Sequence, residues 1–346
     1  MKEIIILTDY KGNFGSKFNA VPYCSGLDKG LLETYFFKSN IQLKFMAFYD
    51  VDFRSDWTGK LVMYTSSEDK DLLYKSYIED IIYGLELKGA IVVPKFKYLR
   101  AHHNKVFMEI LRDELFKEDE FGSLNSLYFG TLEDAQTAIK QNRISFPCVL
   151  KISAGALSRG VGKADNASEL FDLIKTMCRS FDFKKDTKEI IRQYKYRGYI
   201  KNSRYRRKFI VQPLIKGLEN DWKVLFFGDH VYNLKRHVRR DDFRASGSHV
   251  NYKMGSESGL TNDMLNYVHS IFKKLIVPFA SIDYAYDGKK HYILEFQTIY
   301  FGTSTQLLCK DYYTLENGVW VLNNKTQDIE EEFVNSVLKY LQENQL

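Results

Sequence analysis

Short apolar runs alternate with stretches of helical period along the chain, and that alternation predicts its first elements. Ile4 to Leu7, followed by Thr8 and Asp9, is an unbroken apolar run, which predicts a first buried strand over Glu3 to Thr8. A loop with Gly12 and Gly15 follows, then a helix over Leu27 to Lys38 and strands over Gln42 to Tyr49 and Leu61 to Tyr64. Leu73, Tyr77, Ile81 and Leu85 recur at helical spacing and predict a helix over Leu72 to Leu87. Ala90 to Val93, closed by Pro94, predicts another buried strand. Residues 1–100 therefore read as a domain of βαβ units, without a GxGxxG after the first strand.

Beyond Pro94 the pattern changes. Helices are expected over Asn104 to Lys117, over Thr131 to Gln141 with Thr131 and Asp134 spaced as a capping box, and over Asn166 to Arg179. A strand is expected over Phe146 to Ile152. From Phe209 strands dominate: Phe209 to Pro213, Lys223 to Phe227, Val231 to His237, Ala280 to Tyr286 and His291 to Thr298. An amphipathic helix over Asp328 to Gln345 closes the chain. The pattern divides into residues 1–100, 101–208 and 209–346, an α/β domain followed by two α+β subdomains.

Composition narrows the class. Four scattered cysteines without a CxxC pair argue against a disulfide framework or zinc site and fit a reducing, cytoplasmic compartment. The first apolar run is too short for a signal peptide, and no stretch approaches the length of a membrane span. The net charge of +6 is unevenly placed. Between Lys184 and Lys208 stand eleven Lys or Arg against Asp186 and Glu189, interleaved with tyrosines. That run reads as a solvated insertion or as a docking surface for an anionic polymer or nucleotide. It has no helix-turn-helix, RNP or finger signature beside it, so nucleic acid is not an expected partner.

Three constellations carry candidate chemistry. Val149-Leu150-Lys151 runs into Ser153-Ala154-Gly155 and on to Gly160, Val161 and Gly162. A lysine where an apolar strand meets a small-residue loop can reach phosphate oxygens, and glycines let backbone N–H groups approach them; an ordinary turn has the same pattern. The GK[ST] ending of a P-loop is absent. A second group joins Asp283 to Glu295 and Gln297. If Gly288 to Lys290 form a three-residue hairpin loop, Asp283 stands opposite Glu295, with Gln297 on the same face. Two carboxylates and an amide oxygen there would suit magnesium, and exposed polar positions of a half-buried hairpin would look alike. The third group holds Gln212, Leu214, Glu219, Asp221 and Lys223, then Arg236 and Arg244, where arginines at strand ends suit bidentate anion contacts or form plain surface charge.

In order and spacing, residues 104–305 resemble the ATP-grasp superfamily, nearest the branch of ribosomal-protein glutamate ligases, glutathione synthetases and D-alanine–D-alanine ligases. The resemblance implies the ATP-grasp fold, with two subdomains clasping ATP behind an N-terminal α/β domain. It implies that Lys105 and Lys151 meet phosphates, and that the Ser153, Gly155, Gly160 and Val161 segment is the flexible phosphate loop. Gln212 and Leu214 would flank adenine, and Glu219 or Asp221 would hold ribose. Arg236 and Arg244 would act on phosphate and acyl phosphate, and Asp283, Glu295 and Gln297 would bind one or two Mg2+, with Mn2+ an alternative ion. Two positions depart from the family: Gln297 stands where asparagine is usual, and Lys223 where the glutamate-ligase branch often has arginine.

The implied activity is ATP-dependent joining of a carboxylate to an amine through an acyl phosphate. An amino acid, a peptide or a uronic acid of a surface polysaccharide is the expected substrate, small or polymeric and acidic. A nucleotide-binding module without ligase activity, using the basic insertion for a partner, and an ATP-grasp kinase are the alternative readings.

Overall fold

The computed structural model describes residues 2–117, 124–155, 160–180, 182–239, 242–244 and 251–346. They form two compact units, one of residues 1–102 with 218–346 and one of residues 103–217.

The first unit opens with β1 (Lys2–Thr8), α1 (Lys29–Lys38), β2 (Ile41–Ala47), β3 (Leu61–Tyr64), α2 (Leu73–Leu87), β4 (Ile91–Val93) and α3 (Phe96–Ala101). The strands make a parallel sheet in the order β2-β1-β3-β4. β1 is paired along both edges, and Ile4 to Leu7, which point to alternate faces, are almost wholly buried. The chain enters α1 through Asp28, whose side chain accepts the Leu31 N–H. Just before it, Gly26 has a φ of +78°, and a Cβ there would lie 2.2 Å from the Phe14 carbonyl oxygen, so only glycine fits.

The second unit contains α4 (Lys105–Leu115), β5 (Leu127–Thr131), α5 (Leu132–Lys140), β6 (Cys148–Ile152), β7 (Val161–Ala164), α6 (Ala167–Met177), α7 (Phe183–Lys195) and β8 (Arg206–Pro213). Its antiparallel sheet runs β5-β8-β6-β7. Strand alternation gives that sheet two characters. Leu150, Ile152, Phe209 and Val211 point into a core with Ala135, Leu170 and Ile174 of α5 and α6. Lys151, between Leu150 and Ile152, and Gln212, after Val211, take the opposite face. Thr131 and Asp134 form the expected capping box, and Asn166 caps α6.

The chain then returns to the first unit with β9 (Asn220–Phe227), β10 (His230–His237), β11 (Lys253–Met254), α8 (Asn262–Leu275), β12 (Phe279–Tyr286), β13 (His291–Gln297), α9 (Ser304–Leu308), β14 (Asp311–Glu316), β15 (Val319–Asn324) and α10 (Ile329–Glu343). Seven strands form one sheet ordered β13-β12-β9-β10-β14-β15, with β11 on β10. One core joins the parallel sheet to this one: Ile4, Leu32 and Phe36 pack in it with Leu225, Phe227, Phe279, Phe333 and Val337. Three acidic residues, Glu330 to Glu332, fill the first turn of α10 behind its cap, Asp328, where the helix dipole favours them. Two are buried and tie the unit together: Glu330 takes Lys17 at 2.8 Å and the Asp28 N–H, and Glu332 takes His230. β5, β7, β11, α3, α7, α8, α9 and the β14–β15 hairpin add to the elements expected from the pattern. No helix of the described residues is long and apolar enough to cross a membrane.

Candidate functional site

Each unit has a polar sheet face, and the candidate residues carried on strands fall on these faces. In the second unit, Lys151 sits on β6 opposite Val161 of β7 and Ile210 of β8, facing away from the apolar core. Ser153 follows at the strand end, 4% exposed, its hydroxyl donating to Asn104 Oδ1 at 3.0 Å. Asn104 caps α4, and the next residue, Lys105, donates its ammonium to the Gly155 carbonyl at 3.2 Å. Lys105, Lys151, Ser153 and Gly155 are thus gathered at one strand end. Gly160 closes the segment with a φ of +76°; a Cβ there would stand 2.2 Å from Ile152. Ala156 to Arg159 lie outside the described residues.

Gln212 is placed differently. It is 3% exposed, and its amide nitrogen donates to Glu109 at 2.9 Å and Ser126 at 2.7 Å. Glu109 also pairs with Arg112, so the Gln212 side chain serves a buried polar network. Leu214, two residues on, donates its N–H to the Pro147 carbonyl.

In the first unit, β9, β10, β12 and β13 carry the second face. Asp283 stands opposite Lys223 on one side and Glu295 on the other. Arg236 stands opposite Asp221 and binds it with two hydrogen bonds of 2.7 and 2.9 Å, while its other contact reaches Asp283 at 2.9 Å. Both Arg236 and Asp221 are buried. Burial pushes the Asp221 carboxyl up to about 6, against the pull of Arg236, and the neighbouring Asp283 charge adds to the rise. Burial likewise holds the Lys223 ammonium below the ordinary lysine value, against the attraction of Asp283.

The hairpin reaches the expected pairing by another route. The ladder begins at Tyr286–His291, leaving four residues in the turn rather than three, and it slips by one between Asp283 and Tyr284. The extra residue is Leu294. Ile293 and Phe296 both point into buried apolar surroundings, so Leu294 and Glu295 together occupy the interval that alternation gives to one residue. Without this bulge the four-residue turn would set Leu294 opposite Asp283.

Asp283, Glu295 and Gln297 are therefore a set of hard oxygen donors on one face, a fit for magnesium. The Gln297 amide nitrogen donates to Glu295 at 3.0 Å, so a cation would meet its carbonyl oxygen. Arg244, by contrast, forms a local pair: its guanidinium holds Asp242 with contacts of 2.9 Å, which keeps the Asp242 carboxyl below the ordinary range. Ala245 to Val250 lie outside the described residues. Of the two carboxylates expected near ribose, Asp221 is taken by Arg236 and Glu219 is exposed.

Sequence reasoning missed Asn104 as the hub of the lysine cluster. Its cap-competent side chain before a helix was the available signal. In the sequence Lys208 stands out only as the last residue of the basic run.

No family model matches the chain, and no curated protein matches it. Solved structures do. The chain is similar to D-cycloserine synthetase DcsG at 9% identity and a TM-score of 0.55, over 98% of this chain and 99% of that one. A RiPP-associated ATP-grasp ligase of Chryseobacterium gregarium, solved with ADP and a leader and core peptide, matches at 13% identity and a TM-score of 0.52, over 99% and 97%. A RimK-domain ATP-grasp protein of Sphaerobacter thermophilus matches at 12% identity and a TM-score of 0.51, over 97% and 99%. The chain has the ATP-grasp fold, in agreement with the sequence resemblance.

Proposed function

We propose that the chain is an ATP- and magnesium-dependent ligase that activates a carboxylate as an acyl phosphate and couples it to an amine. The observation that supports this most is the placement of Asp283 against Glu295, with Gln297 on the same face, in a chain of the ATP-grasp fold. In this reading Asp283, Glu295 and Gln297 hold the magnesium, which would supply charge neutralisation at the transferring phosphate. Lys105 and Lys151 neutralise phosphate oxygens, Ser153, Gly155, Gly160 and Val161 line them, Leu214 and the Gln212 backbone border adenine, and Glu219 takes the ribose hydroxyls.

A substrate carboxylate oxygen attacks the γ-phosphorus, the bond to the ADP oxygen breaks, and the mixed anhydride forms. Catalysis of this step is chiefly positioning and charge stabilisation. The amine nitrogen then attacks the acyl carbon, phosphate departs, and an amide remains with one proton released. Arg236, held by Asp221, would stabilise phosphate charge. Arg244 would leave Asp242 to meet the oxyanion of the second step. The substrate class is an amino acid, a peptide or a uronic acid of a surface polysaccharide, the uronic acid as the carboxylate that is activated. Three buried cysteines and one exposed, all free, suit a cytoplasmic setting.

Incubation with ATP, magnesium, hydroxylamine and pools of amino acids or sugar acids tests the reading. A hydroxamate formed together with ADP supports a ligase. ADP release without hydroxamate, against a phosphorylated product, would turn it into a kinase, and nucleotide binding without turnover into a binding module.

A further inference from the structure

Lys208 closes the basic run in sequence, but the fold separates it from its neighbours. The Ser153 N–H donates to the Lys208 carbonyl at 2.8 Å, extending the β6–β8 ladder one step past Ile152–Phe209. Lys208 therefore stands across from Ser153, on the face that carries Lys151 two residues earlier. Phe209, the next residue, points into the core, and Arg207, the one before, turns the same way and donates to the Met177 carbonyl at 3.1 Å. The Lys208 ammonium is directed to Asn104 Oδ1 at 3.4 Å, the oxygen that also receives the Ser153 hydroxyl.

Three lysines thus converge on the start of the glycine segment. Lys105 touches Gly155, Lys208 touches the cap residue that adjoins Lys105, and Lys151 comes from the strand beneath. We propose that Lys208 contacts the β- or γ-phosphate of ATP, as a third phosphate lysine supplied by β8. This rests on the ATP reading above. The chemistry is that of a flexible point charge on the face that carries Lys151, and a phosphate oxygen would take the place of Asn104 Oδ1 at its ammonium.

The test is binding of ATP, ADP and AMP to the full chain by calorimetry, for the parent, Lys208→Gln, Lys208→Arg and Lys151→Ala. Melting temperatures confirm that each variant is folded. Lys208→Gln should lose about tenfold in affinity for ATP and ADP, the scale of one charge-assisted contact. AMP should change by less than about twofold, and Lys208→Arg should recover part of the loss. If Lys208→Gln binds ATP as the parent does while Lys151→Ala does not, the proposal falls and the ATP reading stands. Equal losses for all three nucleotides would assign Lys208 a purely structural part and also overturn it. A parent that binds none of the three removes the ATP reading, and this proposal with it.

Discussion

Asp283 faces Glu295 across β12 and β13 only because Leu294 bulges between Ile293 and Glu295. The bulge lets the strand bury Ile293 and Phe296 on one side and still deliver Glu295 and Gln297 to the charged side. Bulges re-aim side chains in this way at functional positions. Glu295→Ala should accordingly abolish magnesium-dependent ADP release, whereas Gln297→Asn should retain or raise it. The shorter amide gives up its bond to Glu295 but keeps an oxygen on the same face. Turnover by Glu295→Ala at the parental rate would sink the hairpin metal site.

Lys151 stands at the strand end beside Ser153, half-buried on the polar face of its sheet. Its side chain leaves the apolar core untouched, so Lys151→Ala should fold and melt within a few degrees of the parent. ATP affinity should fall about tenfold or more, the scale of a lost charge-assisted phosphate contact. Titration with a fluorescent ATP analogue checks both parts, and unchanged affinity in a folded variant would remove Lys151 from the phosphate site.

Much of this was legible in the sequence because each feature is local. The bare apolar run of Ile4 to Leu7 forecasts a buried strand, and Thr131 with Asp134 forecasts a capping box, since both depend on neighbouring residues alone. The Asp283–Glu295 pairing was legible too, but through a wrong turn: a three-residue loop and a four-residue turn with a bulge give the same partner. What stayed hidden depends on residues far apart in the chain. Gln212 reads as a ligand contact until Glu109 and Ser126 are brought to it, and Asp221 reads as a ribose ligand until Arg236 takes both its oxygens.

Glu189 anchors the segment after α7. Its carboxylate accepts the Asn202 N–H and the Tyr199 hydroxyl and pairs with Arg192, and these contacts hold it down to about 2. A carboxyl whose folded-state value lies below the ordinary value of about 4.3 stabilises the fold fully above that value. The contribution is lost as pH falls from there through about 2. Amide exchange across residues 196–204 should therefore rise, relative to the core, as pH is lowered from 5 toward 2. Glu189→Gln should show raised exchange already at pH 7 and lose the acid dependence. Equal protection in both proteins at pH 7 would contradict the anchoring role.

The remaining charge of the insertion bears on the acceptor. Arg192 is paired with Glu189 at 2.8 Å, and Arg204 lies 3.7 Å from Asp186, so both acidic residues of the run are engaged within it. Around them stand exposed side chains of mixed character, Tyr194 at 90% and Ile200 at 89% among them, beside Arg197 and Arg206. Under the ligase reading this surface serves an acidic acceptor rather than ATP, whose phosphates are assigned to the lysines of the β6–β8 face. Attraction between exposed charges is screened over roughly 8–10 Å at physiological salt. Replacing Arg192, Arg197, Arg204, Arg206 and Arg207 with glutamine should raise the acceptor KM and flatten its dependence on salt, with the KM for ATP nearly unchanged. Within that set the unequal pairing gives a sharper expectation. Arg197→Gln with Arg206→Gln should reproduce most of the KM effect, whereas Arg192→Gln with Arg204→Gln should act mainly on the stability of the segment. Steady-state kinetics at two salt concentrations for the three variants separates the cases. Acceptor kinetics that ignore all of them would leave the segment a solvated insertion, and a fall in ATP binding would make it part of the nucleotide lid.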